Sequence, residues 1–105
     1  MEGSHHFSSE PPREGFEPLL QQYVAELPNR AEAIASALEA GDASQTEGVL
    51  HQLAGSLGLY GYRRLEGMFR AVLARLRMGE ALPALSSEIE RLRQELSRVR
   101  ARPAL

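Results

Sequence analysis

The 105-residue chain contains no cysteine, no tryptophan and no lysine. Without cysteine there can be no disulfide and no thiolate metal site, and a reducing, intracellular setting is the expectation. With lysine absent, all twelve basic residues are arginines, set against fourteen acidic ones for a formal net charge of -2. A surface that tracks phosphates usually carries a marked basic excess, so nucleic acid is not an expected partner. No stretch approaches the ~20 consecutive apolar residues of a membrane span, and no basic segment leads into an apolar one at the start. The expectation is a cytoplasmic protein with no membrane insertion. Serine-histidine-aspartate patterns, glycine-rich phosphate loops and HExxH helices are also missing, so nothing here would bind ATP unaided.

What is present is helical periodicity. Residues 1–15, MEGSHHFSSEPPREG, mix Ser, Pro, Gly and charge without an apolar period and read as a disordered tail or a cloning remnant. His5 and His6 are assigned to that tail, not to a metal site. Phe16, Leu20, Tyr23, Val24, Leu27, Ile34 and Leu38 recur at three- and four-residue steps, which predicts a first helix to Ala40. Pro28 predicts a kink or a restarted helix at Leu27. Gly41 supplies a left-handed stop. Asp42 with Gln45 three residues on suggests a capping box for a second helix, ending near Leu57 or Gly58.

A third helix is expected over Tyr62 to Met78, with Leu65, Met68, Phe69, Val72 and Leu76 on one stripe, and Gly79 ends it. Pro83 opens a fourth, whose Leu85, Ile89, Leu92, Leu96 and Val99 alternate four- and three-residue steps. Short connections between four such helices predict an all-α fold, an antiparallel up-down four-helix bundle over residues 16–100, with 101–105 as a short C-terminal tail. Arg91, Arg93, Arg98, Arg100 and Arg102, with Glu88, Glu90 and Glu95 interspersed, read as a solvated helix face.

One histidine stands apart. Each helical residue advances about 100°, so Thr46, Leu50, Leu53 and Leu57 share a stripe from whose centre His51 lies roughly 135° away. His51 should face solvent. On its side of the wheel lie Ser44, Glu47, Gly48, Ala54, Gly55 and Gly58, nearly all small, although each mid-helix glycine costs roughly 1 kcal/mol relative to alanine. That pattern gives up helix stability for access to the ring, and a neutral imidazole nitrogen is a competent nucleophile. The bland reading, a helix-surface histidine with no role, weakens because glycines serving close helix packing would lie on the buried stripe.

The run His51-Gln52-Leu53-Ala54-Gly55-Ser56, with Gly61 ten residues after the histidine and four amphipathic helices around it, resembles the histidine-containing phosphotransfer (HPt) domain of two-component phosphorelays. The resemblance spans roughly Phe16 to Val99. It implies a phosphorelay intermediate in which His51 takes a phosphoryl group from a receiver aspartate and returns it to another. The implied partners are response-regulator receiver domains and a hybrid sensor histidine kinase. It also implies that charge-neutralising Mg²⁺ and a lysine come from the receiver, and that the chain is a monomer with no cofactor of its own. Gly55, Gln52, Ala54, Ser56, Gly48 and Gly58 become the residues expected near the phosphate or the docking partner. The family commonly has lysine where this chain has Ala54, and Gln52, Ser56, Arg63 or Arg64 are the candidates to replace it. Two other readings stand beside this one: a pseudo-HPt adaptor that binds a receiver without transfer, and a structural bundle that dimerises through the fourth helix.

Overall fold

Asp42 starts the helix that carries His51: its Oδ1 accepts from the Gln45 backbone N–H at 2.9 Å, and its own N–H donates to the Ala37 carbonyl at 3.1 Å. The cap is therefore made from one side only, with the backbone of the preceding helix filling the place of a Gln45 side chain. The computed structural model describes residues 5–103. Within them α1 is Phe16–Glu39, α2 Ala43–Leu59, α3 Arg63–Arg77 and α4 Leu82–Leu96, and the two-residue strands β1, His6–Phe7, and β2, Val99–Arg100, flank them.

The four helices pack in a ring, α1 on α2, α2 on α3, α3 on α4 and α4 back on α1. Each apolar stripe turns inward to one core of Leu20, Leu27, Ile34, Leu50, Leu57, Leu65, Phe69, Leu85 and Ile89, all 2 % exposed or less. Burial of this kind, at roughly 25 cal/mol per Å² of apolar surface, is what holds helices too short to be stable alone.

Three departures from the sequence reading have local causes. Pro28 does not divide the first helix: α1 runs through it, with Leu27 buried before it and Pro28 itself exposed. The proline removes one N–H, while core contacts on either side hold the helix together. Val99 belongs to β2 and not to the fourth helix, which ends at Leu96; its side chain still reaches the core.

The third concerns the segment expected as a loose tail. His6–Phe7 pairs in parallel with Val99–Arg100, and the His6 N–H donates to the Arg98 carbonyl at 2.9 Å. Ser8 Oγ donates to the Tyr60 carbonyl at 2.6 Å, and Ser9 donates to the Gly61 carbonyl from both its N–H and its hydroxyl, each at 2.9 Å. The segment is a strap across the end of the bundle. Residues 1–4 and 104–105, which fall within the expected tails, lie outside the described residues. Arg102, also expected in a tail, donates to Glu17 and to the Glu10 carbonyl.

Candidate functional site

The solvent face of α2 is set by its two neighbours. Glu47 pairs with Arg77 of α3, and a Cβ on Gly58 would lie 2.7 Å from the Glu66 carboxyl of α3, so α3 covers the flank that holds positions 47, 54 and 58. On the other flank Ser56 Oγ lies 2.6 Å from Tyr23 Oη of α1. His51 sits between these flanks, exposed, at the middle of α2. A Cβ on Gly55, one turn later, or on Gly48, one turn earlier, would meet nothing within 4 Å. Those two glycines leave open space beside the imidazole.

Three of the expected neighbours are taken up by other contacts. Ala54 is fully buried, 0 % exposed, and belongs to the core. About 60° from His51 on the wheel, it falls on the side that α3 covers, so at the position where the family commonly carries lysine this chain presents no cation to phosphate. Gly58 is half-buried under the Glu66 carboxylate, which Arg70 holds at 2.8 Å, and it is a close-approach position between α2 and α3. Ser56 is drawn away from the imidazole: its hydroxyl bonds the Tyr23 hydroxyl and the Leu53 carbonyl, the latter at 3.2 Å. Gln52 is exposed and lines a groove of about 460 Å³ with Tyr23, Arg30, Val49 and Ser56. In that groove burial pushes the Tyr23 hydroxyl's pKa up, against the opposing effect of its hydrogen bond with Ser56.

The cation beside His51 is Arg77, at the last position of α3. Its Nη2 lies 3.2 Å from His51 Nδ1, and its Nε donates to Glu47 Oε2 at 2.8 Å. Arg63 and Arg64, the arginines expected in that role, stand at the opposite end of α3, beside His5 and Phe7. The sequence offered one signal toward Arg77: Glu47 and His51 are spaced four apart on one helix face, so a fork-shaped donor can reach both.

The tyrosines after α2 serve the core. Tyr60 stacks between Tyr23 and Phe16, with ring centroids 4.3 and 5.8 Å away. Tyr62 is 2 % exposed, its hydroxyl donates to the Arg100 carbonyl at 2.8 Å, and burial pushes its pKa up to about 12. His6 is occupied as well, with Nε2 lying 2.6 Å from Glu95 Oε1.

No helix among the described residues is long and apolar enough to cross a membrane. Neither the curated proteins nor the solved structures searched gave a match to this chain. A family model did: residues 18–102 match the Hpt domain, so the chain, with its exposed His51 on α2, belongs to the family whose members carry out phosphotransfer in two-component systems by engaging receiver domains of response regulators.

Proposed function

We propose that this chain is a phosphorelay intermediate whose His51 accepts a phosphoryl group from a receiver aspartate and passes it to the aspartate of another receiver. The observation that carries this reading is the open space at Gly55 and Gly48 on either side of an exposed imidazole, in a chain of the Hpt family. Nothing of comparable chemistry competes with it: among the described residues no group of three or more His, Asp or Glu side chains is placed to hold a metal.

The step is an in-line displacement. The lone pair of an imidazole nitrogen forms the N–P bond, the P–O bond to the receiver aspartate breaks, and its electron pair leaves with the carboxylate. The imidazole gives up one proton to solvent. Such a loose transition state needs alignment and charge neutralisation more than covalent assistance. Mg²⁺ and a lysine on the receiver would supply most of that charge. This chain contributes a nucleophile fixed on a rigid helix, small neighbours that admit the receiver, and one arginine.

In the same reading the helices run as an antiparallel up-down bundle, the chain acts as a cytoplasmic monomer, and a hybrid sensor histidine kinase stands upstream. The test is to incubate the full chain with a phosphorylated receiver domain and follow the label. Acid-labile phosphate should appear on the chain and be lost in His51→Gln. Label that stays on the receiver while the two proteins bind would overturn the relay and establish a non-transferring adaptor.

A further inference from the structure

Resting on that reading, we propose that Arg77, steered by Glu47, is a positioning residue that selects which imidazole nitrogen of His51 takes the phosphoryl group and protects the resulting bond. A guanidinium has N–H donors and no acceptor, and it stays charged at any ordinary pH. With Nη2 at 3.2 Å, Nδ1 must therefore be the acceptor, and the proton of the neutral ring sits on Nε2. Among the described residues Nε2 has no partner. The arginine is itself held: its Nε is committed to Glu47, one turn before His51, so the fork is aimed along the surface of α2 and not out into solvent.

The consequences follow in order. While the guanidinium rests on Nδ1 it withholds that lone pair, and it leaves only as the ring proton takes its place, so Nδ1 never offers a lone pair to a donor phosphoryl group. For attack, the guanidinium releases Nδ1, the ring proton moves through water from Nε2 to Nδ1, and the Nε2 lone pair forms the N–P bond. The aspartyl P–O bond breaks to carboxylate. The Nδ1 proton then passes to water, and Arg77 returns to the vacated lone pair. In that final state the ring is neutral.

The last point matters for lifetime. Cleavage of an N–P bond is easy when the departing imidazole is protonated at its other nitrogen and hard when it must leave as an anion. A guanidinium on Nδ1 occupies the place where that proton would arrive, and its positive charge opposes a second one. It cannot deliver the proton itself. Glu47 and Arg77 thus place beside the ring a positive charge that position 54, an alanine buried in the core, does not carry.

The experiment loads the full chain with phosphoramidate, a small donor that needs no receiver, and reads the product by ³¹P and ¹⁵N NMR. Wild type should carry phosphate on Nε2 alone, and before loading should show the Nε2–H tautomer. Arg77→Ala, a change at an exposed side chain, should yield a mixture of Nδ1 and Nε2 phosphohistidine, with a lifetime shortened about three- to tenfold, the kinetic equivalent of one net hydrogen bond. Glu47→Ala, which frees the guanidinium without removing it, should fall between the two. Phosphate on Nδ1 in the wild type, unchanged regiochemistry in Arg77→Ala, or no loading of His51 from phosphoramidate would each overturn the assignment. Because no receiver takes part, these results are separate from the test of the relay itself.

Discussion

His6 Nε2 lies 2.6 Å from Glu95 Oε1, with the two side chains only 7 % and 13 % exposed, so the segment before the first helix is fastened to the end of the last by a nearly dry polar contact. The hydrogen bond from His6 lowers the Glu95 pKa below its ordinary value, against a burial effect that would raise it, with smaller help from the charges of His6 and Arg98. A carboxylate whose folded pKa is lowered adds stability that is present above its unfolded value and is lost as pH falls through the folded one. Glu95→Gln should therefore cost about 1 to 3 kcal/mol near neutral pH, in the range of hydrogen bonds to charged groups. The difference from wild type should shrink on acidification below the ordinary carboxylate range. Urea titrations of both proteins across that window check it, and a difference independent of pH would show that the contact contributes no linkage.

Gly61 is fixed for two reasons at once. Its φ is +88°, a conformation that L side chains rarely adopt, and a Cβ there would lie 2.8 Å from the Glu10 backbone nitrogen and 2.9 Å from Ser8 Oγ. Strain of the left-handed region alone costs about 1 to 2 kcal/mol, and the strap would also have to lift. Gly61→Ala should lose about 2 kcal/mol or more and raise hydrogen exchange at the Ser9 amide, which bonds the Gly61 carbonyl. Gly58→Ala makes the informative contrast. The atoms its new methyl would meet first are the end of the Glu66 side chain, which can swing away, so that variant should stay close to wild-type stability.

Tyr62 should weaken the fold at alkaline pH. Burial raises its pKa to about 12 from the usual value of 10, with a further push from Tyr23. A group whose folded pKa is raised contributes stability that is intact below the unfolded value and is lost as pH climbs through the folded one. Two units correspond to at most about 2 to 3 kcal/mol. Stability should therefore fall between pH 10 and about 12, and Tyr62→Phe should flatten part of that fall while losing the bond to the Arg100 carbonyl. Chemical denaturation at several alkaline pH values decides it; an unchanged slope in the phenylalanine variant would point to Tyr23, whose pKa is also raised.

The helices were legible because each keeps one apolar stripe over at least fifteen residues, and periodicity reports which face is buried. It does not report what lies across that face. Ala54 shows the difference: a wheel centred on Thr46, Leu50, Leu53 and Leu57 turns it outward, but α2 has a neighbour on each side, and α3 widens the covered arc to include positions 54 and 58. The Glu47–His51 spacing signals a fork-shaped donor but does not say which one, because Arg77 meets His51 across 26 residues of chain, a pairing fixed by how α2 and α3 align. The strap left no trace either. Two-residue strands are too short for an alternating pattern, and their pairing spans nearly the whole chain. What did transfer from sequence to structure was the exposure of His51 and the space around Gly55, both local properties of one helix.

Gly55 gives the sharpest functional test. It is exposed one turn after His51 on the same face, and a side chain there would point into open space with nothing inside 4 Å. Glycine in a helix interior is about 1 kcal/mol worse than alanine, so on stability alone a larger residue should be neutral or favourable. Gly55→Arg should therefore fold as well as wild type, or slightly better, by thermal denaturation. A receiver must nevertheless bring its aspartyl phosphate to within about 3 to 3.5 Å of the imidazole for in-line attack, and misplacement by about 1 Å can cost a hundredfold in rate. Transfer from a phosphorylated receiver should drop by about two orders of magnitude or more, while loading from phosphoramidate, which needs no docking surface, should stay near wild type. Leu57→Ala should behave in the opposite way. Its side chain is fully buried in the core, and truncation should cost about 2 to 5 kcal/mol of stability, while whatever folded protein remains keeps its transfer rate. Normal transfer in a folded Gly55→Arg variant would mean that the receiver approaches His51 from another side, and the steric role given to this glycine would be wrong.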